Sequence, residues 1–551
     1  MSFGADTIVS RRDTWDAMRH DFQWPNMVYF NMASACVERW AHQTPDRIAL
    51  ICPNDKGEVK NISFQALNRM SNQFSNVLSA CGFSRGDRCA ILLQQSLEAA
   101  VCHFGTYKIA GVALPLFTLF GADALEFRLK DSGATTLVTD ANNLPKVLEI
   151  LDELPDLKTI LCIDGAIGSA FDFHTLLDQA SDKFETITTG QNDPALLVYT
   201  SGTTGPPKGA LHGHRVLIGH LPCIETAYNF FPKKGDVAWT PADWAWMGGL
   251  MNTMMPSLYY GVPVVAHRMG KFDPERVYQL IETHSIRTSF LPPTALKILS
   301  QIPTPGATKL RAILCGGEAL GASTFEWARS ELGLTINEIY GQTECNLVLG
   351  NCAHVFDPKP GSMGLPNLGA NVEIVDENGK PVPAGTIGEI GIHRDHAGMF
   401  LEYWKQPEKT EFKFRNDYLM TGDVAEMDED GFFWFSSRDD DVISSGGYRI
   451  GPTEIENCLQ SHPSVTFAGV IGVPDDIRGQ SIKAYIVLAN CAGTEKLKTE
   501  LIKCVKQRVS PHVAPRTIEF INEMPMTATS KIMRRELRLL HAEKHDQGVH
   551  S

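Results

Sequence analysis

From Ser63 to Cys81, apolar residues recur at three- and four-residue intervals. Leu67, Met70, Phe74 and Leu78 share one face, and the spacing predicts an amphipathic helix. A turn over Gly82–Asp87 leads into the unbroken apolar run Cys89-Ala90-Ile91-Leu92-Leu93, which reads as a buried strand. Glu98–Gly111 reads as a helix again, and Val112-Ala113-Leu114-Pro115-Leu116 as the next strand. Alternation of this kind from about Met32 to Asp140 implies a largely parallel sheet flanked by helices. A second alternating block begins near Asp193. Between Gly361 and Trp434 the texture becomes Val/Ile-rich, with turns at Glu377-Asn378-Gly379 and Asp430-Gly431, and predicts a β-rich subdomain of hairpins. From Glu454 to about Leu540 the pattern predicts a small α+β unit. Its strands are Val465–Val473, Ile482–Leu488 and a short one near Ile518–Ile521, with a helix over Thr494–Val509.

At 551 residues the chain exceeds what one core supports, so two or more domains are expected. A net charge of −14 argues against a general nucleic-acid binder, but it is compatible with a local positive site for a nucleotide. The 13 cysteines form no C-x-x-C pair and suit buried thiols in a reducing compartment. The N-terminal residues lack the apolar core of a signal peptide, and Asp6, Asp13 and Asp16 oppose a transit peptide. No stretch approaches a membrane-spanning length, so the expected location is the cytoplasm.

The most informative stretch follows the strand-like run Ala195-Leu196-Leu197-Val198. It reads Tyr199-Thr200-Ser201-Gly202-Thr203-Thr204-Gly205-Pro206-Pro207-Lys208-Gly209. Glycines let backbone N–H groups turn toward phosphate oxygens, and the Ser/Thr hydroxyls and one ammonium add donors. The spacing is not that of a Walker A loop, because two residues separate Gly202 from Gly205 and Gly209 follows the lysine. Three more apolar runs end in polar residues: Val237–Thr240 before Asp243-Trp244-Ala245-Trp246, Leu310–Leu314 before Cys315-Gly316-Gly317-Glu318, and Ile336–Ile339 before Tyr340-Gly341-Gln342-Thr343-Glu344. Ligands of open α/β sheets bind outside the carboxyl ends of strands, so these ends are expected to surround one site.

These motifs, with Thr421-Gly422-Asp423, Arg438–Arg449 and Pro525–Leu537 in order, give the chain a clear resemblance. It is similar to the adenylate-forming enzymes, the superfamily of acyl-CoA synthetases, peptide-synthetase adenylation domains and luciferases, and most similar to the medium-chain acyl-CoA synthetase branch. The likeness runs from about Met32 to Leu540. It implies an α/β fold with a large N-terminal domain, residues 1–440, of two parallel-sheet α/β subdomains plus a β-rich subdomain. A small α+β C-terminal domain, residues 441–551, would be joined to it by a hinge at Asp440.

The reaction implied has two steps: a carboxylate attacks the α-phosphorus of ATP, giving acyl-AMP and pyrophosphate, and the thiol of coenzyme A then displaces AMP. Carried over residue by residue, the resemblance gives Thr200, Ser201, Gly202, Thr203, Thr204 and Lys208 to the triphosphate, and Gly317, Glu318 and Ala319 to the adenine. Tyr340, Gln342 and Thr343 belong to the nucleotide site, with Thr343 on the α-phosphate and Glu344 holding Mg²⁺. Asp423 and Arg438 are assigned to the ribose, and Lys531 to catalysis of adenylation. Lys531 follows Ser530 where the family usually has glycine. Gly447 would line the thiol tunnel with Trp246, and Arg449 would meet a phosphate of AMP or CoA.

In acetate-specific relatives a tryptophan directly before Gln-Thr-Glu shortens the acyl pocket; here Gly341 stands there and implies room for longer chains. Trp244 and Trp246, with Met247, Met251, Met254 and Met255, are the expected apolar wall. The expected substrate is a short-to-medium-chain or branched carboxylic acid, with ATP and CoA as partners; a homo-oligomer is compatible with this reading. The alternatives are an acetate/propionate- or aromatic-acid-CoA ligase, an acid-adenylating enzyme serving a carrier protein, with Asp243 as partner for an amino acid's ammonium, and a catalytically silent nucleotide binder.

Overall fold

The computed structural model describes residues 7–54, 56–200, 206–267, 269–270, 272–305, 308–317, 320, 322–438, 443–489, 492–525 and 532–549. Two large sheets, a five-stranded antiparallel sheet and a small C-terminal sheet make up an α/β architecture. The helix expected from Ser63 onward forms over Phe64–Ala80, with the Ser63 hydroxyl accepting from Ala66 N as its N-cap.

Assignment of strands to sheets departs from the chain-order reading. Pro194–Thr200, at the head of the second alternating block, joins the first sheet, where it lies parallel to Val112–Pro115 and antiparallel to Lys208–Gly213. Ile48–Pro53, from the first block, instead pairs in parallel with Val264–Val265 at the far side of the nine-stranded sheet. Periodicity specifies which residues face a core, whereas the choice of neighbour is a long-range contact to which local pattern is blind. The two sheets are therefore interwoven along the chain.

Between them lie two helices without a solvent face. Val216–Ala227 is buried at every position, and Leu97–Lys108 at all but Glu98. A helix buried all round has to solvate its own polar groups internally. Lys108 does so through Asn68 Oδ1 (2.6 Å), Asn72 and Glu38 (3.6 Å). Glu225 accepts from Ile8 N (2.8 Å), Val9 N (3.1 Å) and Tyr260 Oη, and burial pushes its carboxyl up to about 7.

The antiparallel sheet, built on Val372–Val375, Gly388–His393 and Tyr418–Met427, agrees with the hairpin reading, and Gly379 (φ +74°) and Gly431 (φ +85°) occupy its turns. The small sheet pairs Val465–Asp475 with Gly479–Leu488 antiparallel, and Thr517–Phe520 adds in parallel. Alternation along its longest strand separates two cores. Ala468 and Val470 face helices Pro452–Gln460 and Glu495–Arg508, whereas Ile471 and Val473 face Met524 and Leu537.

The helix-bearing face of the small domain seats on the large one. Gly121 N donates to Val509 O (2.6 Å), and Arg508 forms a bidentate pair with Asp123 (2.8 and 3.0 Å). A Cβ at Gly121 would lie 2.1 Å from Gln507 O, so only glycine allows this approach. Gly121→Val is expected to lift the small domain and raise the radius of gyration measured by small-angle scattering; unchanged scattering would contradict this account.

Candidate active site

One cavity of about 270 Å³ lies where the strand ends of both large sheets meet the small domain. Thr200 ends the strand Pro194–Thr200 of one sheet. In the other, Gly316 and Gly317 end Ala312–Gly316, and Gly341, Gln342, Thr343 and Glu344 turn between Asn337–Gln342 and Asn346–Gly350. Trp246 and Met247 follow Ala238–Trp239. All four polar-ended runs thus contribute to one wall. Ser201, Gly202, Thr203, Thr204, Glu318, Ala319, Asp440 and Lys531 lie outside the described residues.

Thr200 and Lys208 are cross-strand partners, and both line the cavity. The Lys208 ammonium stands 5.2 Å from the ring centroid of Tyr403, whose hydroxyl donates to Glu344 Oε1 (2.6 Å). Burial and then the Glu344 carboxylate push the Tyr403 phenol far above its ordinary value, so it acts as a neutral donor. An ammonium, a hydroxyl and a fixed carboxylate therefore face one space, a set suited to a phosphate chain and its counter-ion. Sequence reasoning missed Tyr403, which sits in the two-residue strand Glu402–Tyr403 and belongs to no motif.

Asp423 stands one layer behind. It is 2% exposed and does not line the cavity; its Oδ2 accepts from Tyr340 Oη (2.7 Å) and Gln342 Nε2 (2.5 Å). Burial, then Asp423, raises the Tyr340 phenol, so it too is a donor. The Arg438 backbone pairs with Asp423 across the strands; the side chains of Arg438 and Arg449 are not among those described.

On the small-domain side, Gly447 (φ +81°) enters the cavity wall between Pro292 and Trp246, 3.4 and 3.9 Å from a Cβ built on it. Tyr448 stacks on Trp246 (6.3 Å between centroids, 23° between planes) and on His512 (4.6 Å, 19°). Pro525 and Ile532, which flank residues 526–531, do not line the cavity. Ile532 packs against Met524 and Leu537, on the face of the small sheet away from the seated helices.

Two expectations about the acyl wall need correction. Trp244 is 2% exposed in the large core and does not reach the cavity; nor do Met251, Met254 and Met255, which are fully buried there, whereas Met247 does line it. The cause is a turn in which Trp246 N donates to Asp243 O (3.1 Å) and Ala245 N to Asp243 Oδ1 (2.9 Å), which sends the two tryptophans different ways. Asp243, so engaged, is not on the cavity wall either, which removes the carboxylate expected to greet an amino acid's ammonium. Gly341 does line the cavity, but its lack of a side chain has a local reason: a Cβ would lie 1.8 Å from Asn346 O, at a bulge in the hairpin.

The remaining wall includes polar groups that no motif announced: His220 on the helix Val216–Ala227, Asn252 on the π-turn Leu250–Met254, and Asn346. His220 Nε2 meets Asn252 Oδ1 at 2.6 Å. Burial pushes the imidazole down to about 4 against the opposing effect of the Asn252 and Asn346 amides, so the ring is neutral near pH 7.

Fold and cavity together define a two-domain nucleotide-handling enzyme, in which a phosphate-suited wall on the large domain is completed by a glycine of the small one. Comparison with known proteins makes this specific. The AMP-binding enzyme family model matches residues 37–404, and that of the AMP-binding enzyme C-terminal domain matches 454–531. Over 525 residues the chain is 36% identical to the mitochondrial acyl-coenzyme A synthetase ACSM4 of Homo sapiens, covering 92% of this chain and 90% of that protein. It is 33% identical to the uncharacterized acyl-CoA ligase YtcI of Bacillus subtilis (strain 168), over 89% of this chain and 93% of that one. The crystal structure of a Brucella canis acyl-CoA synthetase superposes with a TM-score of 0.72 at 31% identity, covering 97% of this chain and 100% of that one. The chain belongs to the AMP-binding enzyme family.

The crowding at Gly341 makes a stability prediction. Gly341→Ala should destabilise the protein by about 1–3 kcal/mol, the usual penalty of overpacking, read from the denaturant midpoint. An unchanged midpoint would mean that the hairpin yields freely.

Proposed function

We propose that the protein joins a short-to-medium-chain carboxylic acid to coenzyme A at the expense of ATP, through an acyl-adenylate, with release of pyrophosphate and then AMP. The observation that carries this reading is the meeting of Thr200, Lys208, Thr343 and Glu344 in one cavity that Gly447 completes from the small domain. Displacement at a crowded, anionic phosphorus needs positioning and charge neutralisation more than covalent help. Lys208 and Thr200 would hold the phosphate chain, and Thr343 the α-phosphate. Tyr340 and Gln342 would orient Asp423 beneath the ribose.

Magnesium fits the donor chemistry of this wall. Glu344 offers a carboxylate with one oxygen already fixed by Tyr403, and Mg²⁺ takes few protein oxygens beside phosphate and water. Among the described residues no cluster of three His, Cys, Asp or Glu forms a protein cage. Bound there, the cation would share the charge of the triphosphate.

The seated small domain favours assigning this arrangement to the thiol-transfer step. Gly447 leaves a seam between Pro292 and Trp246 through which an unbranched thiol arm passes, and the flanks of residues 526–531 lie on the other face of the small sheet. Rotation about Asp440, at the proposed 440/441 boundary, would bring Lys531 to the carboxylate and α-phosphate for the first step. Two variants separate the steps. Lys531→Ala should lose adenylation by about 100-fold or more while still converting supplied acyl-AMP to thioester. Gly447→Leu should do the reverse, making acyl-AMP without consuming CoA. Full-rate adenylation by Lys531→Ala would remove that residue from its role.

The acid itself is tested by CoA-dependent AMP release with straight-chain acids from acetate to dodecanoate, and with benzoate. A maximum between butanoate and decanoate is expected, with steps of about 0.8 kcal/mol per buried methylene. Activity on acetate alone would show that other side chains close the pocket, and acyl-AMP formation without CoA consumption would favour a carrier-protein acceptor. As to compartment, every described cysteine is a free thiol and no described helix is long and apolar enough to cross a membrane. Both features suit the cytoplasm, although the ACSM4 relative is named as mitochondrial.

A further inference from the structure

Two thiols of the small domain meet beside its seat. Cys458 on the helix Pro452–Gln460 and Cys504 on the helix Glu495–Arg508 bring their Sγ atoms to 3.9 Å, both as free thiols. Tertiary packing makes this contact, since 46 positions separate them in the chain. Cys458 is 6% exposed in the core between these helices and the small sheet, and Cys504 is half-buried at the margin of that core. Burial pushes the Cys458 thiol up to about 12, so an oxidant arriving from solvent meets a reactive sulfur first at Cys504. One turn beyond Cys504, Arg508 makes the bidentate pair with Asp123 of the large domain. The charges of Arg508 and Asp123 both act on Cys458, so the thiols lie within electrostatic reach of the seat.

A disulfide holds its sulfurs about 2.05 Å apart, so closing this pair draws them together by roughly 1.9 Å. The C-terminal end of the Cys504 helix has little room to follow. Gln507 O and Arg508 O lie 2.1 and 2.3 Å from a Cβ built on Gly121, whose N–H already donates to Val509 O at 2.6 Å. We propose that Cys458 and Cys504 are a peroxide-sensitive dithiol, and that their intrachain disulfide displaces Arg508 and Val509 from Asp123 and Gly121, slowing thiol transfer but not adenylation. The Cys504 thiolate attacks one peroxide oxygen; the O–O bond breaks, hydroxide leaves, and Cys504 becomes a sulfenic acid. The Cys458 sulfur then attacks the Cys504 sulfur, the S–O bond breaks, and the hydroxyl leaves with the Cys458 proton as water. Two thiols are thereby oxidised by two electrons, and one hydrogen peroxide is reduced to two waters. The bond itself depends only on the sulfur contact. Its selective effect rests on the ligase reading above, in which the seated small domain serves thiol transfer.

The test treats the full-length protein with hydrogen peroxide, caps remaining thiols and maps peptides without reductant. The peptide holding Cys458 should be joined to the one holding Cys504, two hydrogens lighter than their sum, and dithiothreitol should part them. The oxidised enzyme should keep its acid-dependent exchange of pyrophosphate into ATP. Its conversion of supplied acyl-AMP to thioester should fall by about tenfold or more and return with dithiothreitol. Cys504→Ala, and independently Cys458→Ala, should keep both rates through the same treatment. Absence of the joined peptide at peroxide levels that oxidise other thiols would overturn the proposal. So would a joined peptide with both half-reactions slowed alike or neither slowed, or a loss of thiol transfer that persists in both variants. If no acid supports pyrophosphate exchange and no acyl-AMP is turned over, the ligase reading fails, while the peptide map still decides whether the disulfide forms.

Discussion

The complete burial of Val216–Ala227 and the near-complete burial of Leu97–Lys108 are the constraint on which the rest of the molecule depends. A helix covered on every side has to be packed from several directions: Leu97–Lys108 lies on Arg88–Leu92 and Val112–Pro115 of one large sheet, Val216–Ala227 on Ala312–Gly316, Asn337–Gln342 and Asn346–Gly350 of the other, and both share one core. Once the sheets share this filling, the strand ends that carry Thr200 and Glu344 face a common space. The same burial disciplines the polar side chains of these helices. Lys108, Glu225 and His220 are all answered by partners within the chain, His220 by the Asn252 and Asn346 amides.

The second constraint is the seat of the small domain. A backbone-to-backbone bond at Gly121, a charged pair at Asp123 and an aromatic stack through Trp246, Tyr448 and His512 hold its helix-bearing face against the large domain. The strand alternation that separates the two cores of the small sheet makes this choice exclusive. While one face is seated, the other, with Ile532 and Leu537, is turned away. The two-step reaction proposed above, if it used both faces, would need a large rotation rather than a small adjustment.

Much of the architecture was legible because it rests on local periodicity. Ser63 and the recurring Leu67, Phe74 and Leu78 gave both the start and the buried face of a helix, and the β-rich and C-terminal blocks followed from changes of texture. Sheet membership was not legible, since Pro194–Thr200 and Ile48–Pro53 choose neighbours far away in sequence. In the candidate site, Thr200, Lys208, Gly317, Gln342, Thr343 and Glu344, singled out from composition and resemblance, all line the cavity. Trp244 was misplaced because the Asp243 turn breaks the alternation that relates positions 244 and 246. His220 and Tyr403 were invisible for a different reason: a single histidine on an apolar helix, or one tyrosine in a two-residue strand, looks like ordinary core until its amide partners or its carboxylate partner is seen.

The contact between Gly341 and the Asn346 carbonyl also bears on how this pocket changes over time. Position 341 is locked to the path of the opposing strand, so a bulky residue arriving there by a single substitution meets backbone that cannot rotate out of the way. Shortening the pocket from this position requires a concerted change in the hairpin, which mutation reaches rarely. Divergence among descendants of this chain should therefore accumulate elsewhere on the cavity wall before it touches the glycine, and selection for altered substrate range would begin away from position 341.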